Sequence, residues 1–256
     1  MLFDTHAHYD DAAFDEDRDE LLSKMRSGGV ELIVDPASNL DSARKARDIA
    51  EKFDFVYFAA GLHPNDLWNK YYEGYLSDVR ALAAHPKCVA VGEIGLDYHY
   101  GAEYKELSHR VFREQLELAR ELKMPVITHE REATADFLGI IKDFSDIIGV
   151  VHCFSGSWET AKTILDLGWY ISFTGVVTFK NAKRAVEVAA KMPIERLMIE
   201  TDSPYMSPEP VRGTRNDSRN VRYVAEKIAA LRGMSPEELA RVTLENGKQF
   251  YGLTAK

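Results

Sequence analysis

The chain has 256 residues, of which 32 are lysine or arginine and 41 are aspartate or glutamate, for a formal charge of −9; 45% are hydrophobic and 11% aromatic. A protein that coats nucleic acid by neutralising phosphates presents a broad basic face, and this balance excludes one, so any nucleic-acid contact must be local. The length suits one domain with a sizeable core.

No stretch approaches the roughly 18 apolar residues of a membrane-spanning helix, and the opening MLFDTHAHYD has neither a basic nor an apolar leader region. A cytoplasmic location is expected. Cys88 and Cys153 each sit inside an apolar run, so buried free thiols are expected rather than a disulfide.

Short runs rich in β-branched and aromatic residues recur along the chain. They are LFDT at Leu2, ELIVD at Glu31, FVYFAA at Phe55, VAVGE at Val89, PVITH at Pro125, IGVVH at Ile148, WYISF at Trp169 and RLMIE at Arg196. Each has the length of a buried strand. Amphipathic stretches lie between them, including DRDELLSKMRSGG, LDSARKARDIAEKF and the long YKELSHRVFREQLELARELK from Tyr104 to Lys123. Eight strand-helix units in this length predict an α/β fold, a single-domain (β/α)₈ TIM barrel over residues 1–256. A doubly wound open sheet is the alternative, but its Gly-rich phosphate turn is replaced here by THAHYDD. Between Asp202 and Ser218, Pro204, Pro208 and Pro210 break regular structure, and a long functional loop is expected.

The polar residues that interrupt the apolar pattern fall at the C-terminal ends of the predicted strands, the rim on which such barrels build active sites. His6 and His8 are two apart on an extended segment and share one side. Glu93 follows an apolar run, and a buried carboxylate there needs a partner. His129 ends the fifth run, His152 the sixth, and IETD carries the eighth into Asp202. Taken singly, each has a bland reading: a half-buried histidine, a salt-bridged acid, or for Asp202 a helix cap or turn before Pro204. Together on one rim they make a nitrogen and oxygen ligand set for one or two divalent ions.

His63 in GLHP lies on the same rim, and Arg131 is placed to clamp an anion, with a structural ion pair as its alternative. His85 and His109 are expected to face solvent, and the sequence does not decide His99.

At these residues the sequence resembles the TatD family of metal-dependent deoxyribonucleases, within the amidohydrolase-like metal-dependent hydrolases. The resemblance covers essentially the whole chain through DTHAH, GLHP, GEIGLDYH, PVITHEREA, HCFSG, ETDSPY, RGTRN and ENGKQFYGL, in that order. HxH alone is a weak signal; the ordered set is specific. The resemblance implies a TIM barrel with two divalent ions, Mg²⁺, Mn²⁺ or Zn²⁺. His6, His8, Glu93 and Asp202 would surround one, and Glu93 would bridge to a second held by His129 and His152. It further implies that Asp202 orients or deprotonates the attacking water, that His63 and Arg131 meet the substrate phosphate, and that cleavage proceeds from DNA ends, 3′ to 5′. The chain departs from the family pattern at Asp217-Ser218 and at Glu130, which bears on substrate preference.

Two divalent ions bring +4 against −2 from Glu93 and Asp202, so the mouth becomes locally positive although the chain is not. Lys180, Arg184, Arg212, Arg215 and Arg219 are candidate rim cations. Phe154, Trp158, Tyr98, Tyr100 and Tyr205 are candidate stacking partners for the bases of a single strand or frayed end. The expected partner is therefore a DNA end or single-stranded DNA, handled by a monomer without an obligate protein partner. Two other classes stay open at this point. The same activated water could attack an amide, lactone or aminoacyl ester, and a non-catalytic metal-binding scaffold is the third.

Overall fold

The computed structural model describes residues 1–99 and 103–254. Its strands are β1 (Leu2–Asp4), β2 (Val30–Pro36), β3 (Val56–Ala60), β4 (Cys88–Asp97), β5 (Val126–Arg131), β6 (Gly149–Val151), β7 (Tyr170–Phe173) and β8 (Leu197–Ile199). They form one sheet in sequence order, each parallel to the next. That order has no switch point, which removes the doubly wound alternative. The ring comes together where the chain leaves β1 and β8: Thr5 N donates to Ile199 O at 3.3 Å, Asp202 N to His6 O at 2.9 Å and His8 N to Ser203 O at 2.7 Å.

The strands are linked by helices α1 (Arg18–Ser23), α2 (Leu40–Lys52), α3 (Leu67–Lys70), α4 (Tyr75–Ala83), α5 (Lys105–Leu122), α6 (Thr134–Lys142), α7 (Trp158–Asp166) and α8 (Lys183–Lys191), and α9 (Val221–Arg232) and α10 (Pro236–Phe250) follow β8. Capping residues fix several starts. Asn39 and Ser42 form a reciprocal capping box on α2, Ser157 caps α7, and Ser235 caps α10 ahead of Pro236.

Apolar packing falls into two zones. Strand residues Phe3, Val34, Ala59, Ile127, Val150, Tyr170 and Met198 pack with Phe250 and Tyr251 at the end of α10. Larger clusters fill the space between sheet and helices, including Phe112, Phe137 and Trp169, whose Nε1 donates to Ile147 O at 2.9 Å. Each such side chain contributes about 1.5–3 kcal/mol on burial. Cys88 is buried and Cys153 half-buried, both as free thiols. Among the described residues, no helix is long and apolar enough to cross a membrane.

Apart from Lys123 (φ 55°), which ends α5, the left-handed non-glycine residues among those described follow strand ends. Glu132, Cys153, Asp202 and Met206, none of them glycine, have φ of 57°, 47°, 57° and 51°, and all lie just past the ends of β5, β6 and β8. Such conformations persist where surrounding structure over-determines them, commonly at functional sites.

Candidate metal centre

His6 and His8 follow β1, and their Nε2 atoms face one another at 3.1 Å. Two contacts aim them. The carboxylate of Asp4, fully buried, accepts from Thr201 N at 2.8 Å and ties the segment after β1 to that after β8. His8 Nδ1 meets the carbonyl of Pro36 at 3.0 Å; a carbonyl only accepts, so Nδ1 carries the hydrogen and Nε2 is left for the centre. Asp202 Oδ1 stands 3.4 Å from His8 Nε2 and 3.7 Å from His6 Nε2.

Glu93 lies inside β4, not at its end, because the strand runs four residues further to Asp97. The β4–β5 register is irregular between Val91 and Ile94, a local break of the kind that re-aims a side chain. The two oxygens of Glu93 serve different neighbours. Oε2 is 3.3 Å from His6 Nε2 and 3.8 Å from His8 Nε2. Oε1 is 2.8 Å from His152 Nε2, 3.1 Å from His129 Nδ1 and 3.3 Å from His63 Nε2.

Each of these histidines is held from behind. His129 Nε2 pairs with Asp97 Oδ2 at 3.0 Å, and His152 Nδ1 lies 3.4 Å from Glu200 Oε1. Glu200 in turn accepts from Cys153 N at 2.7 Å and Ser172 Oγ at 2.6 Å. His63 Nδ1 accepts from Asn65 N at 3.1 Å, so its Nε2 carries the hydrogen and presents a donor. Metal-binding histidines are commonly fixed by such outer carboxylates and carbonyls.

Proton affinities follow from this crowding. Burial alone would raise Glu93, but His152, His63, His6 and His129 hold it well below the usual carboxylate range. Asp202 is likewise lowered, His8, His152 and His6 outweighing burial. Burial opposes charge on His8, yet Asp202, Glu93 and Asp10 push it up to about 9. Burial is similarly outweighed at His152, held well above its ordinary value by Glu93 and Glu200, and at His129, raised by Asp97 and Glu93. His6 and His63 are lowered, chiefly by burial.

These residues fit a divalent cation. In neutral rings the lone pairs of His8 Nε2 and His129 Nδ1 point at other acceptors, and such an array needs either bound protons or a cation between its members. Buried His6 Nδ1 has no hydrogen-bond partner among the described residues, and His152 Nδ1 has only the 3.4 Å ion-pair contact with Glu200. The ligand-capable atoms fall within 4.8 Å of one another as His6/His152/Asp202, His6/His8/Glu93 and His63/Glu93/His129. Imidazole with carboxylate suits zinc and other first-row ions and tolerates magnesium or manganese.

Residues 3–252 match the family model described as TatD related DNase. The chain belongs to that family. It is 43% identical over 253 residues to the "Uncharacterized metal-dependent hydrolase YabD" of Bacillus subtilis, covering 98% of this chain and 99% of the relative. It is 32% identical over 262 residues to the "3'-5' ssDNA/RNA exonuclease TatD" of Citrobacter koseri, covering 98% and 99%. The crystal structure of the TatD homolog YJJV from Escherichia coli superposes with a TM-score of 0.92 at 30% identity, over 99% of this chain and 98% of that one. The TatD-related chain is thus a metal-dependent hydrolase on a TIM barrel.

The other candidate residues of this TatD-related barrel are variously placed. Arg131 ends β5 in an exposed position two residues past His129, outside the close-packed cluster. Phe154 is buried, and Trp158 is half-buried on α7 beneath Lys191. Tyr98 is half-buried, Tyr205 is exposed on the rim, and Tyr100 lies outside the described residues. Among the candidate cations, Arg215 pairs with Asp17, Arg219 with Asp217 at 2.8 Å, and Arg212 lies 4.2 Å over Phe179, while Lys180 and Arg184 are exposed. Glu130 accepts from Ala133 N and Thr134 Oγ1 just ahead of α6, and Asp217 caps the turn at Ser218. His99 pairs with Glu132 at 2.7 Å. His85 and His109 are half-buried and only partly open to solvent, against Glu51 and Tyr98 respectively.

Behind His8 lies a second acidic pair that the sequence reading passed over. Asp35 is fully buried, neither of its oxygens meets a donor, and Asp10 is its neighbour. Burial, then the Asp10 carboxylate, holds Asp35 well above the usual carboxylate range.

Proposed function

We propose that this protein hydrolyses phosphodiester bonds of DNA, working on ends in the 3′ to 5′ direction, with two divalent ions at the centre. Mg²⁺, Mn²⁺ and Zn²⁺ all suit the donor set. The observation that carries the two-ion reading is the division of Glu93, one oxygen toward His6 and His8 and the other toward His129 and His152. The family's description as DNases and the exonuclease name of the Citrobacter koseri relative support the choice of substrate.

In this reading His6, His8, Glu93 and Asp202 hold one ion, and Glu93, His129 and His152 the other. Bound ions would polarise the phosphodiester, lower the pKa of a water and stabilise the leaving oxygen. The chain's own groups do the rest. Asp202 Oδ1, ionised and next to His8, orients the water and accepts its proton. His63 Nε2 offers a hydrogen to a phosphate oxygen or the leaving group. Arg131, on the exposed end of β5, adds a cation for the phosphate.

The test is purified, metal-stripped protein given end-labelled single-stranded DNA, closed circular single strands and a carboxyl-ester substrate, with each ion restored in turn. Stepwise loss from 3′ ends, with circles resistant, is the expected result. Circles cut as fast as linear strands would overturn the end-acting reading, and ester hydrolysis without DNA cleavage would overturn the phosphodiester reading.

A further inference from the structure

Large apolar side chains stand exposed mainly at the metal-bearing end of the barrel. Trp68 is 65% exposed and Tyr104 48%, and Tyr72, Tyr205 and Met206 are also open to solvent. All five lie in segments that follow β3, β4 or β8. Tryptophan is on average a highly buried residue type, and several large apolar side chains open on one rim mark a candidate contact surface.

Trp68 and Tyr104 line one cleft of about 400 Å³, with Asn65, Asp97 and Tyr98 further in. That cleft adjoins the metal centre through Asp97, whose Oδ2 holds Asn65 Nδ2 and His129 Nε2, each at 3.0 Å, and through Asn65 N, which donates to His63 Nδ1. The inner polar groups are already engaged. Asp97 Oδ1 accepts from His99 N at 2.8 Å, the Tyr98 hydroxyl contacts His109 and Asp136, and Lys105 Nζ is 2.7 Å from Asp136. What the cleft has to offer is aromatic surface.

We propose that this cleft holds an unstacked nucleobase of a single-stranded nucleic acid, from a nucleotide adjoining the bond to be cut, stacked on Trp68 and Tyr104. The assignment rests on the phosphodiesterase reading above and names a subsite for it. Because every base has a π-face, stacking tolerates any sequence, and the engaged polar groups leave little means to read base edges. The subsite therefore favours purines by ring area without requiring one base. It also demands that the base be free of a partner strand, which selects single strands and frayed ends.

The test measures binding apart from turnover. Protein loaded with Ca²⁺ is titrated with fluorescent 16-nucleotide DNA and RNA single strands, intact or carrying one abasic position placed in turn at each of the four nucleotides next to the 3′ end. Wild type is expected to lose roughly 5- to 100-fold in affinity at one abasic position, the range of a base–aromatic stack. Trp68→Ala and Tyr104→Ala are expected to bind the intact strand more weakly and to be insensitive to that abasic position. The part of the tryptophan emission that Trp68→Ala removes is expected to be quenched by the intact strand and not by that abasic one, Trp158 and Trp169 emission being common to both proteins. If both variants bind intact and abasic strands as wild type does while wild type still cleaves DNA, the subsite is refuted and the nuclease reading stands. If wild type neither binds nor cleaves DNA or RNA, both fall.

Discussion

Asp97 Oδ2 accepts the Nε2 hydrogen of His129 at 3.0 Å, which turns His129 Nδ1 toward Glu93 Oε1 at 3.1 Å. One carboxylate thus sets both the tautomer and the aim of a ring 32 residues away in the chain. His129 raises its proton affinity in this pairing, and Asp97 falls to about 2 despite partial burial. Removing such a partner typically weakens metal binding by about 10- to 100-fold. Asp97→Ala is expected to lower affinity for one of two ions by that factor and to leave the other near wild type. Calorimetric titration of the metal-stripped protein checks this, and two equally weakened sites would contradict it.

Asp202 is held in a left-handed backbone conformation, with its amide bonded to His6 O and Oδ1 beside His8. A proton acceptor so placed contributes about 10²- to 10⁴-fold to rate. Asp202→Asn keeps the shape and an oxygen ligand but loses most proton affinity. The expected outcome is a kcat lower by that range with at least one ion still bound, measured by single-turnover cleavage alongside metal content. Unchanged turnover would remove the water-activating role.

Metal uptake is expected to expel protons. In the metal-free protein Asp202, Glu93 and Asp10 push His8 up to about 9 against its burial, so it holds its proton at pH 7, and Glu93 with Glu200 or Asp97 raises His152 and His129 above their ordinary value. A raised imidazole stays charged below its folded-state pKa, so protons compete with the ion there, and affinity climbs as pH rises toward about 9. Calorimetry in two buffers of different ionisation enthalpy measures the protons released. Release of none at pH 7 would mean that the rings are neutral before the ion arrives.

The barrel and the grouping of His6, His8, Glu93, His129, His152 and Asp202 on one rim were legible because both depend on short-range pattern. Alternating strand and helix periods fix parallel crossovers, and HxH, the GE of GEIGLD, and the histidines after ITH and VVH mark where each strand meets the rim. Asp97 escaped notice although it lies four residues after Glu93 on one strand, a spacing that returns to the same side. Glu200 likewise sat two residues before Asp202 behind an apolar run. Their partners, His129 and His152, come from other strands, and pairing across strands leaves no local signal. Phe154 misled for the opposite reason: a residue two beyond a rim histidine turns inward here, its amide bonding to Ser172 O. Trp68 carries no signal in the sequence, because the polar stretch around it reads as an ordinary connection.

Asp35 offers a stability test independent of turnover. An acid whose folded-state pKa is raised loses folding free energy as pH climbs past its unfolded value near 3.9, since the unfolded chain ionises first. Asp35→Asn removes that loss and can donate to Asp10. The variant is expected to gain about 1–3 kcal/mol at pH 8 and progressively less toward pH 4, read from denaturant midpoints of metal-free protein. A loss at every pH would show that the charged carboxylate has a partner, a cation being the obvious one.

Gly95 lies between Glu93 and Asp97 on β4, with φ of 143°, and a Cβ there would come within 2.0 Å of His129 O. No side-chain rearrangement relieves that clash, because the obstructing atom is backbone and the register pairs Gly95 with His129. Either β4 and β5 part or His129 moves away from Glu93. Gly95→Ala is therefore expected to cost more than about 3 kcal/mol, combining steric overlap with a φ that alanine rarely adopts. The two consequences are separable: thermal unfolding of metal-free protein reports the strand separation, and metal affinity in the folded fraction reports the displacement of His129. A Gly95→Ala protein with wild-type stability and two intact ion sites would mean that the β4–β5 approach is looser than its geometry states.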